Sequence, residues 1–555
     1  MTGVPFLRIP PFPGHRASPL AQARPTPLAP SPGELARLPA ALAAARVGGT
    51  FWGAQLALPP GRDLVLAPDD RAGARAMQDL VATRGDAGRA YLVGPFAARH
   101  GIPVISRLLD PWHTVAQAAQ VIAGPAGEWA PIAALAQRPL EVVGEGRWSG
   151  IDLHDSRAVV AALLAPWRLA NPYTGAPMPP LEAVHLLAAW RRQIDANRTV
   201  DAVFGVARWK RMTMDALLWD GGAGPRHAAA RGALQRSLGK GSRALVWGAR
   251  VPAGLARSLE ERGVTVGEVE DGMIRGTGLG ANCVPPLSVI VDFAGIYFDP
   301  GRPSELELLL SEGEFPQYVV ARASALRARL VDAGIGKYGR AAPVGCATPQ
   351  GRRRVLVTGQ VADDRSVLAG GPVAACGENP NLTLLRRARE LEGPEAWLVY
   401  KPHPDVEAGH RAGAIPAGEA RCWADEIDSS GPIAPLLASV NALHVLTSLA
   451  GFEALMRGIP VTTHGVPFYA GWGLTRDLGP VPARRNRKLS IDDLVAATLI
   501  LYPRYVDPVT RLPCPVEVLV HRLEQDRARV TSPLVRLREL QGRVNLLLQR
   551  RGHAA

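Results

Sequence analysis

The sequence predicts an α/β protein of two facing Rossmann-like lobes, preceded by a degenerate repeat of the second lobe. Three observations carry this expectation. Short apolar runs alternate with amphipathic helical patterns, as in parallel sheets covered by helices. Segments of the N-terminal third recur in the same order towards the C-terminus. Polar, chemistry-bearing motifs stand directly after the apolar runs, where open α/β sheets bind ligands.

The apolar runs "DLVLA" (63–67), "AYLV" (90–93), "ALVWG" (244–248), "VTVGEV" (264–269), "SVIVDF" (288–293), "RVLVTG" (354–359) and "WLVY" (397–400) are the strand candidates. Stretches such as "NLTLLRRARELEG" (381–393) supply helices between them. The repeat is read from pairs of segments. "LVLAPDD" (64–70) matches "VLVTGQVADD" (355–364), and "AYLVGPF" (90–96) matches "AWLVYKP" (396–402). "AALAQRPLEVVG" (133–144) matches "EALMRGIPVTTHG" (453–465), and "NPYTGAPMPPLEAV" (171–184) matches "DPVTRLPCPVEVL" (507–519). The offset grows from 291 (Leu356 over Val65) to 336 (Pro508 over Pro172), as expected if loops shortened in the first copy. Where the second copy has Lys401 and His403, the first has Pro95 and neighbours without Lys or His. The scaffold repeats and the polar groups do not.

The 555 residues exceed one ordinary domain, and 47% hydrophobic with 20% charged residues is a globular composition. A formal charge of +13 suggests an acidic partner, or else a solvated arginine-rich surface. No basic stripe is interleaved with aromatics, which argues against nucleic acid. The five cysteines (Cys283, Cys346, Cys376, Cys422, Cys514) have no metal-ligand or disulfide spacing, so no metal is expected and a reducing compartment fits. "MTGVPFLRIPPFPGHRASPL" is broken by prolines where a signal peptide would be apolar, and no run of 18 apolar residues follows. A cytoplasmic protein, peripheral at most to a membrane, is the expectation.

Among 63 Lys+Arg only five are lysines: Lys210, Lys240, Lys337, Lys401 and Lys488. One of them opens "KPHPD" (401–405), directly after a strand. A lysine there offers a compact charge to a phosphate, and His403, fixed between prolines, can donate to the same group. "TSLAGFEAL" (447–455) reads as a helix start capped by Thr447 or Ser448, a natural phosphate site, with Glu453 able to reach ribose hydroxyls. "EVEDGMIRGTGLG" (268–280) sets Glu270 and Asp271 at a strand end, where carboxylates can act as acid, base or nucleophile. Strand alternation sends the two to opposite sides. "GVPFYAGWGLT" (465–475) is either a stacking loop using Tyr469 and Trp472 or a tight aromatic turn. Gln360, in "TGQVADD" (358–364), and Arg275 are further cleft candidates. One lobe with carboxylates facing another with phosphate-binding groups is the layout of a nucleotide-sugar glycosyltransferase.

The run "EDGMIRGTGLGANCVPPLSVIVDFAGIYFDPGRPSELELLL" (270–310), then "GQVADD", "YKPHPDV", "TSLAGFEALMRGIPVTTHGVPFYAGWGLT" and "YVDPVTRLPCP", resembles the capsular polysaccharide biosynthesis family of KpsC/LipA type. The resemblance covers about 200–520, and more faintly 61–200. It implies a GT-B-like, retaining β-Kdo transferase using CMP-Kdo (Kdo is an eight-carbon 2-keto acid sugar). Such enzymes build a poly-Kdo linker on lyso-phosphatidylglycerol at the inner face of the cytoplasmic membrane. The implied partners are a Kdo-terminated glycolipid acceptor, the anionic membrane surface, and capsule biosynthesis and export proteins. Typical members carry two complete modules, whereas here the first lacks the Lys-Pro-His-Pro motif. Carried over, Asp271 matches the nucleophile with Glu270 beside it, Lys401 and His403 the phosphate motif, and Ser448 and Glu453 the nucleotide-contacting helix start. No cofactor or metal is implied, because Lys401, His403 and a helix dipole can balance a single phosphate.

The expected organisation is therefore a disordered Pro-rich arm (1–45), a degenerate half-module (46–198), an acceptor-side lobe (199–348), a CMP-sugar-binding lobe (349–525) and a C-terminal helix or tail (526–555). A transferase of another nucleotide sugar, or a non-catalytic capsule assembly or export scaffold, would carry the same scaffold.

Overall fold

The computed structural model describes residues 4–26, 28–228, 232–252, 254–277, 283–337, 339–340, 351–371, 378–407, 409, 411–429, 431 and 433–526. The expected C-terminal tail beyond Asp526, Cys346, Cys376 and the Gly-rich stretch 278–282 lie outside the described residues. The chain forms two compact units: Met1–Val200 with Met214–Pro225 and Val509–Leu512, and Asp201–Thr213 with Arg226–Pro508 and Pro513–Ala555.

The first unit is built on a five-stranded parallel sheet in the order Val104–Ile105, Ala90–Val93, Leu64–Ala67, Gln120–Ala123, Leu140–Val142. Its central strands are buried on both faces, so they read as unbroken apolar runs rather than alternating ones. The helix Arg71–Thr83 is capped by Asp70, whose carboxylate accepts from Gly73 N at 2.7 Å, and it lays Ala74, Met77 and Val81 on the sheet.

Residues 4–45 are not a disordered arm. Helix Pro32–Ala45 starts with a capping box between Ser31 and Glu34 and buries Leu38 and Leu42. Ala21–Ala23 pairs antiparallel with Trp167–Leu169. Phe12 packs against Trp190 and Trp219 with ring centroids at 5.5 and 5.0 Å. Composition misleads here because prolines fix extended backbone without forbidding order, and four of the apolar residues among them, Phe6, Leu7, Phe12 and Leu20, are buried.

Among the described residues the second unit contains two large sheets and the two-stranded pair Ile335–Gly336 with Gly339–Arg340. The first has the order Pro513–Cys514, Arg504–Val506, Ser288–Asp292, Thr265–Asp271, Arg243–Val246, Ala202–Phe204, Arg226–Ala228. Its last four strands are parallel to one another, but Ser288–Asp292 runs antiparallel to Thr265–Asp271, so this sheet is mixed. The second sheet is parallel throughout: Glu426–Ile427, Trp397–Lys401, Arg354–Thr358, Ala442–Val445, Val461–Thr463, Arg476–Asp477. Its first five strands follow the strand order of the first unit's sheet, and Leu64–Ala67 and Arg354–Thr358 are central in each.

Two expected boundaries differ from the structure. Arg504–Val506 and Pro513–Cys514, placed by sequence in the 349–525 lobe, join the sheet of the preceding lobe through the Ser288↔Tyr505 register. Residues 214–225 belong with the first unit. There Asn197 Nδ2 donates to the carbonyls of Leu217 and Trp219 at 3.1 and 2.9 Å. Both are long-range pairings that no local pattern encodes.

Candidate active site

A cleft of about 770 Å³ opens in the second unit at the C-terminal ends of strands from both of its sheets. That volume lies in the range usual for small-molecule sites, about 300–1,000 Å³. Glu270 and Asp271 enter it from the end of Thr265–Asp271. Lys401 enters from the end of Trp397–Lys401, Thr358 from the end of Arg354–Thr358, and Ser448 from a helix start.

On the first wall, Asp271 is held by two cations. Lys210 Nζ lies 3.1 Å from Oδ1, and Arg275 Nε donates to Oδ2 at 2.8 Å. Burial would raise the Asp271 carboxyl, but Lys210 and Arg275 together outweigh it and hold the group below the usual carboxylate range. Lys210 is itself buried, and its ammonium sits 3.2 Å from the Trp247 ring centroid. Glu270 behaves oppositely. Burial, then the neighbouring Asp271 charge, push its carboxyl up to about 7. Both carboxylates line the cleft, so they do not face opposite sides as alternation predicts. The strand ends at Asp271, and Glu270 Oε1 accepts from Asp271 N at 3.1 Å, which folds that side chain back along its own backbone.

On the second wall, Lys401 Nζ lies 3.6 Å from Asp428 Oδ2. His403 Nδ1 accepts from Asp405 N at 3.2 Å, which keeps the proton of the neutral ring on Nε2. Burial lowers the His403 pKa, so the ring is a neutral donor at pH 7. Ser448 caps the helix Leu449–Met456, its Oγ accepting from Ala450 N at 3.2 Å. The Gln360 amide fixes the residue before it: Thr447 N donates to Oε1 at 2.8 Å and Nε2 donates to Thr447 Oγ1 at 3.0 Å.

Glu453 lines the cleft with its carboxylate almost wholly buried. Oε1 accepts from Lys337 N at 3.0 Å, and Oε2 has no hydrogen-bond partner among the described residues. Burial raises this carboxyl too. The Ile335–Gly336 strand passes close to this carboxylate: a Cβ on Gly336 would lie 2.8 Å from Oε1.

The aromatic loop 465–475 is a packed turn. Tyr469 and Trp472 are fully buried and do not line the cleft. Gly471 and Gly473 at φ 91° and 80° fold the loop, and Trp472 Nε1 donates to Phe468 O at 2.9 Å. Tyr469 braces the helix start from behind, its hydroxyl donating to Ser448 O at 2.5 Å. The aromatic side chain that reaches the cleft is Phe468, edge-on to Tyr297 at 5.6 Å. Arg275 likewise is not cleft wall; it is 2% exposed and supports Asp271 from behind. Sequence reasoning missed Lys210, Lys337 and Tyr297 as site residues. Lysine scarcity was a usable signal for the first two, because three of the five lysines stand at this site.

Residues 243–333 and 314–505, which build most of both walls, match the family described as capsule polysaccharide biosynthesis protein. The capsule polysaccharide modification protein LipA of Neisseria meningitidis serogroup A is 38% identical over 351 residues, 63% of this chain and 49% of LipA. The lipopolysaccharide-processing protein LpsZ of Rhizobium meliloti is 44% identical over 241 residues, 43% of this chain and 53% of LpsZ. The chain thus spans about half the length of the curated relatives it matches. A solved chain of Thermosulfurimonas dismutans KpsC, a beta Kdo 2,7 transferase, is 32% identical, with 59% of this chain and 99% of that chain covered and a TM-score of 0.46. No helix among the described residues is long and apolar enough to cross a membrane. By its match over both walls of the cleft and its 38% identity to LipA over 351 residues, this protein belongs to the capsule polysaccharide biosynthesis protein family.

Proposed function

We propose that the chain is a retaining, GT-B-like glycosyltransferase of capsule biosynthesis that moves Kdo from CMP-Kdo to a Kdo-terminated glycolipid at the inner face of the cytoplasmic membrane. The observation that carries this reading is the divergence of two adjacent carboxyls, Asp271 held low and Glu270 raised to about 7, opposite a phosphate-binding wall. Two carboxyls driven apart in proton affinity are what a double displacement needs.

In this reading Lys401, the Nε2–H of His403 and the start of helix Leu449–Met456 receive the single phosphate, and Glu453 Oε2, without a partner among the described residues, accepts from ribose hydroxyls. The ionised Asp271 attacks the anomeric carbon, and the C–O bond to the phosphate breaks with its electron pair leaving on CMP. The acceptor hydroxyl then displaces Asp271 while the Glu270 carboxylate takes its proton. Two inversions give retention. The basic surface would dock the enzyme on anionic lipid.

The first unit fits a half-module without a nucleotide site. Its sheet shares the second sheet's strand order, yet the loop after Gln120–Ala123 is filled by the chain itself. Ala126 N donates to Asp69 Oδ2 at 2.7 Å, and a Cβ on Gly124 or Gly127 would meet that carboxylate at 2.4 or 2.3 Å.

The test is incubation with CMP-Kdo, generated in situ, and a synthetic Kdo-terminated lipid, read by mass spectrometry beside Asp271→Ala. A gain of one Kdo that the variant lacks supports the reading. No gain with CMP still bound points to another sugar or acceptor, and no gain without CMP binding points to a scaffold.

A further inference from the structure

We propose that Asn381, a buried residue outside the cleft wall, is a positioning residue for the nucleotide: acting through Gln360, it sets Thr447 and the helix start that receives the phosphate. This deepens the transferase reading above and rests on it.

Asn381 stands in the first turn of helix Pro380–Glu392, is 1% exposed and does not line the cleft. Its side-chain amide is bonded to main chain just past the central strand Arg354–Thr358. Oδ1 accepts from Gln360 N at 2.8 Å, and Nδ2 donates to Gln360 O at 2.7 Å and to Gly413 O at 2.8 Å. Gripping the N–H and the carbonyl of one residue admits only this orientation of the amide. Gly413 presents its carbonyl at φ 120°, and a Cβ there would come within 2.8 Å of Asn381 Nδ2.

Held by both main-chain groups, Gln360 turns its own amide on Thr447. Its Oε1 accepts from Thr447 N at 2.8 Å, which leaves Nε2 to donate to Thr447 Oγ1 at 3.0 Å. The Thr447 methyl is seated against Gly370 and Gly465, where a Cβ would meet it at 2.3 and 3.0 Å. Ser448, the cap of helix Leu449–Met456, follows directly. Two amides in series therefore decide where the residue before the cap stands, and with it the aim of the free N–H groups at the helix start. Such groups bind an anion well only when they are fixed in advance and converge on it. A shift at Thr447 thus weakens phosphate binding although every group that touches the phosphate is still present.

The experiment measures CMP affinity by calorimetry, well below each melting temperature, for wild type, Asn381→Ala, Gln360→Met and the double variant. The KM of the lipid acceptor is measured beside it, with Kdo transfer read by mass spectrometry. Each single variant should bind CMP about 5- to 10-fold more weakly, the size of a lost buried hydrogen bond, while the acceptor KM stays at the wild-type value. The double variant should lose no more than Gln360→Met alone, because Asn381 acts only through that amide. Losses that add in the double variant, that fall equally on CMP and acceptor, or that show in the melting temperature alone would reduce Asn381 to a structural role and leave the transferase reading intact. If Asn381→Ala does not fold, Gln360→Met decides: weaker CMP binding supports the role, and wild-type affinity overturns it. A wild type that neither binds CMP nor transfers Kdo would overturn both.

Discussion

Lys210 Nζ sits 3.1 Å from Asp271 Oδ1 and 3.2 Å from the centre of the Trp247 ring, so one buried ammonium is shared between a carboxylate and an aromatic face. Burial lowers the pKa of this lysine, and Asp271 opposes that. The pair keeps Asp271 ionised. Lys210→Met should therefore raise the Asp271 pKa and move the acid limb of the kcat/KM profile to higher pH, with Arg275 preserving part of the activity. An unshifted acid limb with merely lower activity would reduce Lys210 to a packing role.

Glu270 carries its proton up to about 7. If it accepts the acceptor's proton, turnover should climb through that pH, and Glu270→Gln should abolish the climb and lower turnover about 10²- to 10⁴-fold. The same group also predicts a stability effect. A carboxyl raised above its unfolded value favours the fold while protonated, and that contribution is lost as pH rises through about 7. Glu270→Gln should consequently melt higher than wild type at pH 8 but not at pH 4, which differential scanning calorimetry can read.

His403 is fixed by Asp405 N on Nδ1 and stays neutral at pH 7 because burial lowers its pKa. His403→Ala should cut turnover about 10²-fold, the order seen when one preorganised donor to a developing oxyanion is removed. The melting temperature should barely move. Equal turnover in that variant would sink its assignment to the phosphate.

Behind the second sheet, His444 Nδ1 lies 3.0 Å from His464 Nε2, and His444 Nε2 lies 3.0 Å from Glu392 Oε1. In this chain each neutral ring donates through Nε2, so His444 Nδ1 is an acceptor and cannot be protonated without breaking the link. Burial lowers both histidines, His464 to about 3. The unfolded state then binds more protons below about 6.5, and stability must fall as pH drops from there towards 3. Chemical denaturation at pH 7 and pH 5 should show a smaller drop for His464→Phe than for wild type, even if that variant starts less stable.

Much of the wall that carries Lys401, His403 and Ser448 was legible because its signals are local. A buried strand followed by Lys401-Pro-His403-Pro, and a serine before a run of small residues, locate a strand end and a helix start within a few residues of chain. The other wall was legible only in part. Glu270 and Asp271 were found, but their orientation depends on where the strand stops and on hydrogen bonds after it. The aromatic loop shows the same limit: Phe468, Tyr469 and Trp472 are equal candidates in one dimension, and only the packed turn selects Phe468 for the cleft.

By itself, then, the sequence determined the α/β class, the order of most strands and helices, and the place of the Lys401-Pro-His403-Pro motif at a strand end, because hydrophobic periodicity, proline and capping residues act over short stretches of chain. The tertiary structure alone decided that residues 4–45 are ordered, that 504–514 cross back to the earlier sheet, and that Lys210, Asp271, Arg275, Lys337 and Glu453 meet in one site. Those contacts join residues far apart in the chain, and charge pairing and close backbone approach across such separations leave no periodic trace in a single sequence.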